Sequence, residues 1–139
     1  MEDFTSFICY AMKGTMRKLE RQIGREFEKY GINLAQSFVL FSLLENDGLT
    51  LTEVGTRSRI ENSTLTTMVD RLEKDGLVER RLDPQDRRMV RLFITDQGRE
   101  LAEMVLSKGA EFNQFLKKNL AGMEVDLLKS LAIIQDIVD

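Results

Sequence analysis

Hydrophobic positions along the first thirty residues recur at three- and four-residue intervals: Phe4, Phe7, Ile8, Ala11, Met12, Met16, Leu19, Ile23, Phe27 and Tyr30. A stripe with that period lines one face of an α-helix, so the spacing predicts one long helix over 4–30, stopped by Gly31. Asn33 with Gln36 three residues on has the form of a capping box, opening a second helix through the apolar run FVLFSLL at 38–44. Asp47-Gly48 ends it. Thr50 and Glu53 repeat the capping-box pattern and predict a short helix over 51–58. After a brief turn, NSTLTTMVDRLEKDG sets Leu65, Met68, Val69 and Leu72 on one helical face, with Gly76 as a left-handed stop. Two short helices joined by about four residues make a helix-turn-helix candidate.

Beyond Gly76 the period shifts from helical to alternating. Residues 77–82 read as a strand, and in 89–94 Val90, Leu92 and Ile94 face one way while Met89, Arg91 and Phe93 face the other. The loop DPQDRR between them suits the closing of a hairpin, and a hairpin directly after a helix-turn-helix is a winged helix. Thr95 and Asp96 open a last helical region through Leu101, Met104, Val105, Phe112, Phe115 and Leu116. It breaks near Ala121-Gly122 and resumes with Leu127, Leu128, Leu131, Ile134, Ile137 and Val138. The predicted fold class is therefore mainly α with a small β-hairpin: a winged helix-turn-helix at 33–95, flanked by dimerisation helices at 1–32 and 96–139. The apolar stripes at both ends exceed what a middle of about 60 residues can cover, which predicts burial against each other and against a second copy in a homodimer, the alternative being a helical bundle within one chain.

Composition narrows the function. The chain of 139 residues is 42% hydrophobic and 31% charged, as in an ordinary globular protein. FVLFSLL is its longest apolar run, too short to span a membrane. MEDFTSF opens acidic, unlike a secretory signal, and a single cysteine fits a reducing cytoplasm. Histidine is absent, which removes the commonest general base and metal ligand and excludes Ser-His-Asp and Cys-His hydrolases. The nine glycines are scattered singly, without a phosphate-binding loop. No enzyme, metal or cofactor is expected.

Charge is unevenly sorted. The chain carries a formal −3, yet residues 77–91 hold five arginines (80, 81, 87, 88 and 91) against Glu79, Asp83 and Asp86, a local +2. Residues 96–139 count eight acids against five bases, −3. On the second helix of the helix-turn-helix candidate, the face opposite the apolar stripe carries Asn62, Ser63, Thr64, Thr66 and Thr67, with Arg71 a turn later. Short hydroxyl and amide side chains at a helix N-terminus suit base edges, and the free amides there favour phosphate. The alternative is that Asn62, Ser63 and Thr64 cap the helix. At the hairpin tip, Arg87 and Arg88 suit a minor groove, with Asp86 two residues before Arg88 to fix its direction by a charge-assisted hydrogen bond. A winged helix used for protein contact would instead carry exposed aromatics, and neither 61–71 nor 83–88 contains one.

The stretch TMVDRLEKDGLVERR…DP.DRR…T..GRE from Thr67 to Glu100, with the helices on either side, resembles the MarR family of transcriptional regulators over essentially the whole chain. The resemblance implies a homodimer that binds pseudo-palindromic double-stranded DNA near promoters, usually as a repressor. It also implies release by a small phenolic or other aromatic ligand, or by oxidation. Carried over by position, the helix at 63–75 would enter the major groove and Arg87 and Arg88 would form the wing tip. Thr67 stands where a basic residue is common, and Glu61 puts an acid at the helix entrance.

Two regulatory readings remain. Met12, Met16, Phe38 and Phe41 are candidate lining for an aromatic ligand, since methionine adapts to varied shapes; the same residues also suit plain core. Cys9 lies near the position of the reactive cysteine in the peroxide-sensing branch of the family, but Lys13 stands one turn on, and NLAQSF lacks the tyrosines of that branch. Ligand release is the expectation, with Cys9 as a small hydrophobe buried at the dimer interface and oxidation of Cys9 as the alternative.

Overall fold

The computed structural model describes residues 1–139. Six α-helices, α1 (Ile8–Glu28), α2 (Leu34–Glu45), α3 (Leu51–Ser58), α4 (Asn62–Lys74), α5 (Asp96–Leu120) and α6 (Glu124–Ile137), alternate with strands β1 (Leu49–Thr50), β2 (Val78–Leu82) and β3 (Val90–Ile94). The chain forms two compact units, 1–106 and 107–139.

The local hydrogen-bonding rules hold where the sequence expects them. Asn33 accepts from the Gln36 amide at 2.8 Å while the Gln36 side chain accepts from the Asn33 amide at 2.9 Å, a complete capping box on α2. Thr50 and Glu53 do the same for α3. Gly31, Gly48 and Gly76 have φ near +78°, where a Cβ is costly. The first helix begins later than its stripe suggests. Asp3 caps a 3-10 turn at Phe4–Ser6, and Phe7 is extended before α1 starts.

The hairpin predicted from alternation is the larger part of a three-stranded antiparallel sheet of order β1-β3-β2. The added strand is two residues long, with Leu49 opposite Leu92 and Thr50 opposite Arg91. Leu65, Val69 and Leu72 of α4 are buried with Val39, Leu40 and Leu43 of α2, Val54 of α3, Leu92 of β3 and Val105 of α5 in one core. Gly55 lets the helix-turn-helix corner close, because a Cβ there would meet the Ile60 carbonyl at 3.1 Å and Asn62 Oδ1 at 3.0 Å.

Where β3 passes into α5, Thr95 knots the corner. Its amide donates to Leu77 O at 3.1 Å, its hydroxyl donates to Gly76 O at 2.7 Å, and the hydroxyl accepts from the Gly98 amide at 3.0 Å. The first unit leaves Phe4, Phe7, Ile8, Tyr10, Met12 and Met16 exposed along the N-terminal helical region.

The second unit holds the end of α5, a break at Ala121 and Gly122 (φ +50° and +91°) and α6. Phe112 stacks on Phe115 with ring centroids 6.1 Å apart, yet no residue of this unit is buried. Leu127, Leu128, Ile133, Ile137 and Val138 are all exposed.

Candidate nucleic-acid interface

Helix α4 presents its polar face as the sequence implies: Asn62, Ser63, Thr64, Thr66, Thr67 and Arg71 are exposed while Leu65, Val69 and Leu72 are buried. The capping role considered for Asn62, Ser63 and Thr64 is not what the structure shows. Glu61 occupies the N-cap, and no side chain caps the helix. The first amides of α4 therefore stay open, the arrangement that attracts a phosphate. Two of the candidates are engaged within the chain. Thr66 donates its hydroxyl to Asn62 O at 2.9 Å, and Arg71 pairs with Asp75 at 3.1 Å. Asn62 lies over Gly55 at the corner. Ser63, Thr64 and Thr67 keep their hydroxyls free of intrachain bonds.

The five hairpin arginines divide into two groups, which the count alone could not separate. Arg80, with its side chain 27% exposed, braces β2 against α4: it donates to Asp70, to Glu73 Oε1 at 2.8 Å and to Thr66 O at 3.4 Å. Its own amide donates to Glu73 Oε2 at 2.9 Å. These bonds from the Arg80 amide and side chain hold the Glu73 carboxyl below its ordinary pKa. Arg81 and Arg91 stand opposite each other across the ladder, which like charges disfavour. Each is compensated: Arg81 pairs with Glu79 at 2.7 Å and lies 4.3 Å over the Phe93 ring, and Arg91 pairs with Asp83 at 2.7 Å. Arg80 and Arg91 are braces within the fold, while Arg81, its side chain 59% exposed, stays at the surface of the ribbon.

Arg87 and Arg88 differ. Arg87 forms no ion pair and is exposed at the tip. Arg88, 91% exposed, is held from behind by Asp86: Nε to Oδ1 at 3.0 Å, Nη2 to Oδ2 at 3.3 Å and the backbone amide to Oδ1 at 3.1 Å. The tether anticipated from their spacing is present, and the Arg88 side chain and amide lower the Asp86 pKa. Behind it Asp83 Oδ1 accepts the Gln85 and Asp86 amides at 2.8 and 3.3 Å, folding the Asp-Pro turn. The tip thus presents one free and one oriented guanidinium.

Of the residues proposed for a ligand, Phe38 and Phe41 stand together, their ring centroids 6.4 Å apart. A cleft of about 270 Å³ is lined by Phe38, Phe41, Ser42, Glu45, Arg57, Ser58 and Arg59; Met12 and Met16 do not line it. Its wall is more polar than the sequence suggests, because Arg57 forms a bidentate pair with Glu45 at 2.7–3.0 Å. A helical stripe gives the direction of Met12 and Met16 on α1 but not which residues of α2 and α3 line a cleft. Cys9 is exposed in the single chain, ahead of the first core residue of α1, Ile23; the burial expected of it is against a second copy.

Residues 32–90 match the model of the MarR family. The chain is 33% identical over 106 residues to the HTH-type transcriptional repressor MdtR of Bacillus subtilis, spanning 76% of this chain and 68% of that protein. In three dimensions it resembles the transcriptional repressor CouR bound to a 23-mer DNA duplex, with a TM-score of 0.86 and 28% identity over 97% of this chain and 99% of that one. It also resembles PcaV of Streptomyces coelicolor in complex with its natural ligand, with a TM-score of 0.82 and 25% identity over 100% of this chain and 99% of that one. The winged core, the capped helices and these likenesses agree: the chain belongs to the MarR family.

Proposed function

We propose that this protein is a homodimeric, sequence-specific double-stranded DNA-binding transcriptional regulator that acts as a repressor and is released by a small ligand. The observation that carries the reading is the wing tip, where Arg87 is unpaired and Arg88 is exposed yet aimed by Asp86. A guanidinium fixed in direction but left in solvent is suited to an anion arriving from outside, and a narrow tip suits the minor groove. On α4 the free hydroxyls of Ser63, Thr64 and Thr67 suit base edges in the major groove, and Arg71 suits a base or phosphate once it leaves Asp75. The related repressor CouR has been captured on a DNA duplex, and MdtR is named as a repressor.

The terminal helices at 1–32 and 96–139 act as the dimerisation region. Support comes from the second unit, in which nothing is buried, and from the uncovered apolar side chains of the N-terminal segment. Surfaces of this kind are stable in water only against another apolar surface, and a second copy supplies one by symmetry. A dimer with two-fold symmetry sets its recognition helices about one DNA turn apart, roughly 34 Å, and so favours a pseudo-palindrome.

The test is binding to the upstream promoter duplex and to a random duplex over a range of salt. The expected result is a steep loss with salt on both and a clear preference for the promoter. Equal affinity for the two would overturn the sequence-specific reading.

A further inference from the structure

We propose that Arg91 is a positioning residue for DNA binding: it bridges the Gly48 carbonyl and the Asp83 carboxylate at the root of the wing, fixing the angle at which the tip presents Arg88 while itself making no contact with the duplex. The inference rests on the reading of the wing as a DNA-contacting element.

Arg91 occupies the point where the sheet changes from three strands to two. β1 pairs with β3 only at Leu49–Leu92 and Thr50–Arg91, so beyond Arg91 the β2–β3 ribbon runs on without a third strand. Two-stranded ribbons twist and bend easily, and whatever braces this fulcrum sets the attitude of everything beyond it. The Arg91 side chain spans the fulcrum. Nη1 donates back to Gly48 O at 2.9 Å, Nε donates forward to Asp83 Oδ2 at 2.7 Å, and Glu53 at the start of α3 lies 4.0 Å away.

Asp83 completes the link. Its other oxygen accepts the amides of Gln85 and Asp86, its amide donates to Met89 O at 2.9 Å, and its side chain is only 13% exposed. Asp86 in turn holds Arg88. A continuous path of charge-assisted bonds therefore runs from Gly48 through Arg91, Asp83 and Asp86 to Arg88. With its forward and backward donors both engaged, Arg91 has a different task from Arg88, whose guanidinium meets only Asp86.

The lever is long enough to matter. Beyond Arg91 the ribbon runs through Val90, opposite Leu82, and Met89, bonded to the Asp83 amide, before the Asp86–Met89 turn, so at about 3.3 Å per residue the turn begins roughly 7 Å from the fulcrum. A tilt of about 10° moves a tip at that distance by roughly 1 Å, enough to loosen a guanidinium contact. Loss of the brace leaves the tip to be ordered on binding, a cost that rigid presentation avoids.

Asp83→Asn provides the sharpest test, because it removes a negative charge from a DNA-facing element. If only net charge mattered, affinity would rise; positioning requires it to fall, by about tenfold, with the salt slope unchanged. Arg91→Gln should fall likewise without changing the slope, whereas Arg88→Ala should lower the slope by about one unit. In the Asp83→Asn background, Arg88→Ala should cost less than it does in the wild type, since an unaimed arginine has less to lose. Circular dichroism and thermal melting establish that each variant is folded. Tighter binding by Asp83→Asn, or a slope lowered by one in Arg91→Gln, overturns the inference while leaving the wing on DNA. If Arg88→Ala also binds as the wild type does, the wing itself lies off the duplex and the underlying reading falls with the inference.

Discussion

Replacing Gly98 by alanine should destabilise the winged core severely although it adds a single methyl group. A Cβ at this position would lie 2.1 Å from Leu77 O and 3.0 Å from both Leu77 C and Ile94 Cγ1. The close neighbour is backbone, so no rotamer change relieves it; the start of α5 must move away by about 1 Å to restore ordinary contact. That shift pulls on the Thr95 knot, where three bonds of 2.7–3.1 Å join Thr95 to Gly76, Leu77 and Gly98. Overpacking of this kind costs about 1–3 kcal/mol, and two weakened hydrogen bonds add about 1–3 kcal/mol. The helix propensity of alanine returns about 1 kcal/mol. The net is a loss of about 3 kcal/mol, a large share of the roughly 5–15 kcal/mol available to a domain. Urea unfolding followed by circular dichroism at fixed protein concentration measures it. Gly24→Ala on α1, where the added Cβ meets nothing within 4 Å, is the control and should hold or raise the midpoint. A wild-type midpoint for Gly98→Ala would refute the close-approach argument.

Sedimentation at micromolar concentration should give about twice the 16.0 kDa chain mass, because the exposed apolar side chains of 107–139 need a partner; a mass of one chain would sink the dimer. Alanine at Ser63 or Thr67 should alter base preference at one operator position, by about 1–3 kcal/mol where a base contact is lost, as read by binding to a panel of single-base variants. Stability should be retained above the ordinary carboxylate range and lost as pH falls through it. Glu53, held low by the Thr50 amide and hydroxyl, and Asp83, held low by Arg91 and the Gln85 amide, bind protons less readily folded than unfolded. Acid titration of Asp83→Asn should show a shallower loss below about pH 4 than the wild type, and an identical profile would refute the assignment. Salicylate-like aromatics should release DNA from wild type and Cys9→Ser alike, while organic hydroperoxide should release neither; selective release of the wild type by hydroperoxide would make Cys9 the sensor.

Much of the architecture is legible in the sequence because it depends on neighbours within a few residues. A capping box joins positions three apart, so Asn33–Gln36 and Thr50–Glu53 announced α2 and α3 at their true starts. Gly76 marked the end of α4 because a left-handed residue is a local demand, and the change of period after it marked the strands. The Asp86–Arg88 tether was readable for the same reason, its partners being two residues apart. The family motif rests on this same local grammar.

Tertiary structure decided whatever depends on residues far apart in the chain. β1 carries no periodicity in two residues and exists only because β3 offers its edge; Arg91 finds Gly48 from 43 positions away. Nothing in the spacing of five arginines separates Arg80 from Arg87, since the difference lies in Asp70 and Glu73, which α4 brings alongside β2. Met12 and Met16 share a helical stripe with core residues but do not reach the cleft beside Phe38 and Phe41, which Arg57 and Glu45 close from α3 and α2. Gly98 is a glycine because of a carbonyl 21 positions earlier, at Leu77. Hydrogen-bond geometry and side-chain period are short-range and written in adjacent letters. Which charge meets which, and which backbone passes within contact of another, depends on how the packed elements cross, and that is settled only when the core closes.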